Sequence, residues 1–139
     1  MRSTLIRSGL AGLALAGAMA LATAAIAETI TMKADLKASS GSKGAGNAVV
    51  TYDTTAKKVT WKLNYSDLTG AATAAHFHGP AEVGKNAGVA VPIANPASGT
   101  EGSATLTDAQ AADLLAGRYY INIHTAANPA GEIRGQVTK

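Results

Sequence analysis

Apolar and polar residues alternate along most of the chain after residue 28. In TITMKADLKA, residues 29–38, the apolar side chains of Ile30, Met32, Ala34 and Leu36 share one face. An alternation with a period of two over this length is typical of a β-strand with one buried face. The same pattern predicts seven further strands, in NAVVTYD, VTWKLNYS, AATAAHFH, VAVPIA, TEGSATL, RYYINIHT and GEIRGQVT.

One segment departs from this pattern and predicts a helix near residues 108–116. In TDAQAADLLAG, Thr107 is a favourable N-cap, and Gln110 follows three residues later, as a capping box requires. Gly117 suits the left-handed position that ends many helices. We therefore expect a helix of about two to three turns.

Eight short strands and one short helix predict a mainly β fold. Turn-forming segments separate the strands, which is typical of an antiparallel β-sandwich or barrel. Pro92 lacks a backbone N–H, so VAVPIA is expected at a sheet edge. No second domain is indicated, and a chain of about 110 residues suits a single core.

Residues 1–27 are expected to be a targeting signal and not part of the fold. Arg2 and Arg7 precede an apolar run rich in Ala, Leu and Gly, which ends on the small-residue sequence Ala-Ile-Ala. This order is typical of a secretory signal peptide cleaved after Ala27, which leaves a domain over residues 28–139. An uncleaved membrane anchor is the alternative, because the run approaches the roughly 20 apolar residues that a transmembrane helix needs.

The composition of the cleaved domain excludes several classes of protein. Loss of Arg2 and Arg7 lowers the formal net charge from +3 to +1, so no nucleic-acid partner is indicated. The chain has no cysteine, which excludes disulfides, thiolate metal ligands and a lipid-modified N-terminus. We therefore expect an exported domain, periplasmic or extracellular, with no membrane attachment after cleavage.

Two of the three histidines, His76 and His78, flank Phe77 in the sequence HFH. Residues two apart on a strand point to the same face, so both imidazoles project together and away from the apolar Phe77. The third histidine, His124, falls on the polar face of RYYINIHT, opposite the apolar Ile123. If the two strands are neighbours, about 4.8 Å apart, the three imidazoles can converge.

Three histidines on one outer sheet face are candidate ligands for a transition metal ion. Imidazole suits zinc and copper, and three histidines with one open position form a common ligand set. Glu132 is a candidate fourth ligand, or a carboxylate that orients an imidazole through its free N–H. The other supporting residues expected on this polar face are Tyr120, Asn122 and Arg134. The alternative is structural: the imidazoles would hydrogen-bond to Asn122, Glu132 and the backbone and would stabilise a polar surface.

The sequence indicates no catalytic residue. It has no serine in a nucleophile-elbow sequence, no Gly-rich phosphate loop before a helix, and no recognisable carboxylate pair. GSKGAG is rich in glycine but lies between two predicted strands, so it is expected to be a loop.

HFHGPA, followed by YYINIHTAANPAGEIRGQV, strongly resembles the CHRD domain, which is named for chordin and is found in many bacterial secreted proteins. LTDAQAADLLAG fits the same pattern, and the resemblance covers about residues 29–137. It implies an immunoglobulin-like β-sandwich or barrel, and no enzyme activity is established for the family as a class. The chain lacks the cysteine-rich modules that accompany the domain in chordin.

Two function hypotheses follow. The first is an exported CHRD binding module for an unknown extracytoplasmic ligand or protein, with or without copper or zinc bound at His76, His78 and His124. The second is a metal-dependent redox enzyme, because a His-X-His pair on a barrel strand is similar to that of copper–zinc superoxide dismutase. The dismutase site needs more histidines than the three in this chain, which favours the binding module. Superoxide dismutation by the metal-loaded protein far above that of free metal would reverse this order.

Overall fold

The computed structural model describes residues 17–39 and 41–139, and these residues form eight strands and one helix. The strands are β1 (Thr29–Ala38), β2 (Ala45–Asp53), β3 (Lys58–Ser66), β4 (Ala72–His78), β5 (Val89–Ile93), β6 (Thr100–Thr105), β7 (Tyr120–Thr125) and β8 (Ile133–Gln136). Helix α1 (Asp108–Leu115) lies between β6 and β7 along the chain. The predicted mainly β, antiparallel fold with one short helix is confirmed.

The described strands belong to one antiparallel sheet with the order β5-β4-β7-β8-β1-β2-β3-β6. The ladder between β1 and β8 has only two residue pairs, whereas β1 pairs with β2 along most of its length. The sheet therefore folds as two four-stranded halves, β5-β4-β7-β8 and β1-β2-β3-β6, which form a nearly closed barrel or sandwich. β5 lies at one edge, as its Pro92 predicts.

The inner faces of the two halves bury the apolar residues that the alternation assigns to the core. Met32, Ala34 and Leu36 of β1 are each 1% exposed, whereas the polar residues between them are exposed. Trp61 of β3 packs edge-on against Phe77 of β4, with ring centroids 5.3 Å apart. This contact joins the two halves and leaves the opposite face of β4 directed outward.

Helix α1 begins and ends where the sequence predicts. The Thr107 hydroxyl accepts a hydrogen bond from the Gln110 N–H at 3.2 Å, and the Gln110 side chain accepts one from the Thr107 N–H at 3.0 Å. Gly117 follows the helix with a φ of 73°, a conformation that glycine adopts without steric cost. The helix buries Ala111 and Leu114 against the core.

Several strand boundaries differ from the predicted ones by one or two residues, and two of these differences have a structural cause in a glycine. β2 begins at Ala45, inside the Gly-rich segment that was expected to be a loop. Gly46 allows this pairing, because a Cβ at this position would lie 2.5 Å from the Asn64 carbonyl oxygen of β3. β8 begins at Ile133 and not at Gly131, since the chain turns at Gly131, where φ is 121°.

The predicted signal peptide lies partly outside the described residues. Residues 17–28 are exposed and form neither helix nor strand, and the fold begins with β1 at Thr29. Within the described part of the chain, no helix has the length and hydropathy needed to cross a membrane. Cleavage after Ala27 stays a prediction.

Glu132 does not lie on the outer sheet face, so its predicted place beside the histidines is wrong. The residue is fully buried, and its carboxylate accepts hydrogen bonds from the Thr69 N–H and hydroxyl, each at 2.8 Å, and from the Thr125 hydroxyl at 2.7 Å. The argument from strand alternation fails here because β8 begins only at Ile133. Glu132 belongs to the preceding turn and points inward together with Thr125.

The hydrogen bonds keep the buried Glu132 ionised. Burial alone would raise the pKa of its carboxyl, but hydrogen bonds from Thr125, Thr69 and Ser42 outweigh burial and lower the pKa from an ordinary value of 4.5 to about 2. The three donors come from β7, from the β3–β4 loop and from the β1–β2 loop. The carboxylate therefore connects segments that are far apart in sequence, which is a structural role.

We expect Glu132→Gln to lower the melting temperature near pH 7, because the neutral amide cannot replace the charged hydrogen bonds. As the pH falls, the unfolded state binds a proton near pH 4.5, whereas the folded state resists protonation down to about 2. The stabilisation by the Glu132 carboxylate is therefore complete above about pH 4.5 and is lost as the pH falls toward 2. Thermal unfolding followed by circular dichroism should show the difference between wild type and E132Q shrinking over that interval.

The matched control is Glu101→Gln, which removes a carboxylate that is 67% exposed and pairs with Lys62 on the surface. Exposed ion pairs contribute little to stability, so the melting temperature of this variant should stay close to that of wild type. A difference between wild type and E132Q that stays constant down to about pH 2 would contradict the role given to the Glu132 carboxylate.

Candidate metal centre

β4 and β7 lie side by side and place the three histidines on one outer face. In their antiparallel register, His76 lies opposite Asn122, and His78 lies opposite Tyr120. His124 follows two residues after Asn122 on the same face of β7. The alternate residues of both strands point into the core, so the predicted shared face of the histidines is present.

The three imidazole rings form a compact triangle. Ring centroids are 5.4 Å apart for His76 and His78, 5.1 Å for His76 and His124, and 5.7 Å for His78 and His124. One ring nitrogen of each residue lies within 4.8 Å of the other two. In a tetrahedral zinc site with bonds of about 2.0–2.1 Å, two ligand nitrogens are about 3.4 Å apart. Side-chain rotation that shortens the longest nitrogen separation by about 1.4 Å would therefore bring the set to coordination distance.

Two backbone carbonyls fix the orientation and the tautomer of two imidazoles. His78 Nδ1 lies 3.0 Å from the Ala87 carbonyl oxygen, and His124 Nδ1 lies 2.9 Å from the Pro129 carbonyl oxygen. A carbonyl oxygen only accepts hydrogen bonds, so Nδ1 carries the proton in both neutral rings. Nε2 of His78 and Nε2 of His124 therefore each carry a lone pair, which can accept a hydrogen bond or bind a metal ion.

The third imidazole, His76, contacts His124 directly. His76 Nδ1 lies 3.2 Å from His124 Nε2. Because the proton of neutral His124 is on Nδ1, His76 donates its own Nδ1–H to His124 Nε2. A metal ion bound by both nitrogens would require the His76 proton to be on Nε2, the other tautomer of the same neutral ring.

His78 Nε2 is buried without a hydrogen-bond partner among the described residues. The residue is only 9% exposed. A buried acceptor without a donor is uncommon and destabilises the folded state, so each such atom calls for an explanation. A cation bound at His78 Nε2 would supply the missing partner.

The surroundings favour neutral imidazoles. Burial lowers the pKa of His76 below its ordinary value of 6.5, and the charges of His124 and His78 lower it further. Burial also lowers the pKa of His78; the hydrogen bond to the Ala87 carbonyl opposes this shift, and the charges of His124 and Arg134 add to it. Neutral imidazole is the form that binds metal ions.

Tyr120 supports the His78 side of the cluster. Its ring stacks on the His78 imidazole, with centroids 5.0 Å apart and 7° between the planes. The Tyr120 hydroxyl accepts a hydrogen bond from the Ala87 N–H at 3.1 Å and donates one to the Ala87 carbonyl at 3.3 Å. Tyr120 therefore positions the carbonyl that orients His78.

Arg134 attaches the β4–β5 loop to this face. Its Nη1 donates to Asn86 Oδ1 at 2.8 Å, and its Nη2 donates to the Lys85 carbonyl at 2.7 Å. The guanidinium carbon lies 3.8 Å from the centroid of the Tyr120 ring, a cation–π contact. The outer face is consequently covered at its centre, where Tyr120 is 2% and Asn122 5% exposed.

Asn122 holds the second loop, which joins β7 to β8. Its Nδ2 donates to the Ala130 carbonyl at 3.0 Å. Gly131 passes so close to Asn122 that a Cβ at this position would overlap the Asn122 side chain. Asn122 thereby fixes the turn whose Pro129 carbonyl accepts the hydrogen bond of His124.

The predicted site residues other than Glu132 lie together on this face. The orienting role that was predicted for Glu132 is filled by the Ala87 and Pro129 carbonyls. Sequence reasoning missed them because every residue carries a carbonyl and the pattern of side chains does not mark one. A signal for the true place of Glu132 was present, since the polar Thr125 falls on the inner, apolar face of β7.

The cluster offers a transition metal ion three neutral nitrogen ligands and one open position. Imidazole suits both copper and zinc, and ligating histidines commonly donate their second N–H to a backbone carbonyl, as His78 and His124 do. The group of potential ligand side chains contains no carboxylate. The residues present therefore fit a copper or zinc ion.

A family comparison identifies the domain that the sequence resembles. The chain matches the model of the CHRD domain over residues 28–137 of its 139 residues. Comparisons with curated proteins and with solved structures each found no match. Because the matched segment spans nearly the whole chain, this protein belongs to the CHRD domain family.

Proposed function

We propose that this CHRD domain is an exported binding module that holds one copper or zinc ion between His76, His78 and His124. The ligand atoms are His76 Nδ1, His78 Nε2 and His124 Nε2, and one coordination position is left open. Membership in the CHRD family supports the binding module, and the convergence of the three imidazoles supports the metal ion.

The observation that carries the proposal is the hydrogen bonding of the two Nδ1 atoms. His78 and His124 both donate Nδ1–H to a backbone carbonyl. This arrangement fixes the ring, selects the tautomer and raises the basicity of the ligating nitrogen in metal sites. Two loops thus prepare two imidazoles to bind an ion through Nε2.

A purely structural role for the histidines accounts for less of the geometry. Histidines that only stabilise a polar surface are expected to satisfy the hydrogen-bonding capacity of both ring nitrogens. His78 Nε2 is buried and has no partner among the described residues, which destabilises a folded protein by about 1–3 kcal/mol. A bound cation removes this cost.

We expect the domain to bind Cu(II) or Zn(II) with one ion per chain, and His78→Ala to weaken this binding strongly. The loss should exceed the roughly 10- to 100-fold typical of removing a residue that only orients a ligand, because His78 is itself one of three ligands. Isothermal titration calorimetry in a non-coordinating buffer measures both affinities. Circular dichroism of each variant shows that the fold is retained.

Glu101→Gln is the matched control, since it removes an exposed metal-binding group on β6 in the opposite half of the sheet. Its affinity should equal that of wild type. Equal, weak binding by wild type and H78A would contradict the metal centre and leave the structural role.

Burial of the histidines should lower the pH at which the metal affinity begins to fall. The pKa of His76 and that of His78 lie below the ordinary 6.5, so protons compete for these nitrogens only at lower pH. We expect the affinity to be constant above about pH 6.5 and to fall as the pH decreases below it. Titrations between about pH 7.5 and 4.5 should place this fall lower than in an unfolded peptide with the sequence AAHFHGPA. If the metal affinity of the domain and that of the peptide fall at the same pH, burial does not protect the imidazoles from protonation, and the prediction is wrong.

We further propose that residues 1–27 are removed during export. CHRD domains are generally extracellular or secreted, which supports this assignment. Intact-mass measurement of protein from the extracytoplasmic fraction should give a chain that begins at Glu28. A protein that retains Met1 and sediments with membranes would contradict the assignment and favour an anchor.

A further inference from the structure

The three-histidine cluster has no carboxylate of its own, and a cationic residue lies on the same outer face. The group of potential ligands contains three imidazoles and no carboxylate. Glu132 comes directly before β8 in the sequence, but its carboxylate points inward and accepts hydrogen bonds from Thr69 and Thr125. Arg134 lies on the face itself and is positively charged.

Arg134 is not neutralised by an acidic partner among the described residues. Its guanidinium contacts Asn86 Oδ1, the Lys85 carbonyl and the Tyr120 ring, all of which are uncharged. The ion pairs found in the described part of the chain involve other residues. The positive charge of Arg134 therefore remains available to act on its surroundings.

The guanidinium is close enough to the cluster to act on a bound ion and its ligands. Its carbon lies 3.8 Å from the Tyr120 centroid, and that centroid lies 5.0 Å from the centroid of His78. The guanidinium carbon is therefore at most about 9 Å from the His78 ring centroid. This separation is comparable to the Debye length, which is about 10 Å at 0.1 M and about 8 Å at physiological ionic strength.

A divalent ion bound in this place would keep its full charge, because neutral imidazoles add none. A partly buried double charge beside a guanidinium is unfavourable unless an anion compensates it. His76 and His124 are partly exposed, so a small ligand can reach the cluster from solvent. The covered centre of the face, at Tyr120 and Asn122, leaves little room for a large one.

We propose that the open coordination position of the metal centre binds a small monovalent anion, which Arg134 attracts. The ligand class is an inorganic anion of a few light atoms with a lone pair that binds the metal. This inference rests on the proposed metal function and adds the charge and the size of the ligand that the centre takes.

Azide is a suitable probe, because its bonding to Cu(II) produces a charge-transfer absorption band. The domain is loaded with one equivalent of Cu(II) in chloride-free buffer and titrated with sodium azide, and, separately, with neutral imidazole. We expect a saturable band with azide. The ratio of azide affinity to imidazole affinity then reports the contribution of charge, independently of how well copper itself is held.

The variants are Arg134→Gln, which removes the charge, and Asn86→Ala, which removes one hydrogen bond of Arg134 to the loop but keeps the charge. We expect R134Q to lower the azide-to-imidazole affinity ratio roughly three- to tenfold, and to do so less at high ionic strength. N86A should leave the ratio unchanged. A similar drop in both variants would assign the effect to the loop and overturn the role of Arg134.

The failure of this inference is distinguishable from the failure of the metal centre. Copper that binds with dependence on His78 but shows no azide band would overturn the anion site alone. Copper binding that is equal in wild type and H78A would overturn the centre itself. A ratio that is unchanged in R134Q, with a normal azide band, would show an anion site without steering by Arg134.

Discussion

The pairing of β4 with β7 is the constraint on which the rest of the site depends. Phe77 is 1% exposed and packs against Trp61 in the core, and full burial of such a side chain contributes about 1.5–3 kcal/mol. A slip of the register by one residue would exchange the buried and the outward sets of β4. The core therefore determines the direction of His76 and His78. Because β7 alternates in the same phase beside β4, the same register also brings His124 to them.

Burial sets the direction of the imidazoles, but their rotation and their protons depend on the loops. The strands alone would leave each ring free to turn about its side-chain bonds. The Ala87 and Pro129 carbonyls remove that freedom by accepting the Nδ1–H of His78 and His124. Both loops are in turn held by side chains of the same outer face, Tyr120 and Arg134 for one loop and Asn122 for the other. The outward polar side chains of β7 and β8 thus hold the loops that cover them. This is why Tyr120 and Asn122, which the alternation places outward, are nearly as buried as the core.

Features that depend on local sequence could be predicted, whereas features that depend on turns and loop paths could not. Strand alternation and the capping box are local, so the eight strands, the helix and the shared face of the histidines could be predicted. The position of Glu132 depends on where β8 begins, and that boundary is set by the turn at Gly131, which alternation does not report. The orienting carbonyls depend on the path of two loops, and no side-chain pattern encodes that path. The fold was therefore accessible from sequence, whereas the contacts that orient the site were not.

The separate places of Glu132 and Arg134 have a consequence for the chemistry of the face. Glu132 directs its negative charge inward, where hydroxyl and N–H donors stabilise it and where it connects three segments of the fold. The outer face retains Arg134 and the three imidazoles. A carboxylate beside the cluster would have neutralised part of the charge of a bound ion and occupied its open position. Since the carboxylate is instead used inside the fold, the proposed metal centre would leave both that charge and that position to a ligand from solvent. Three imidazole nitrogens alone would leave the choice between copper and zinc to geometry and to the supply of each metal.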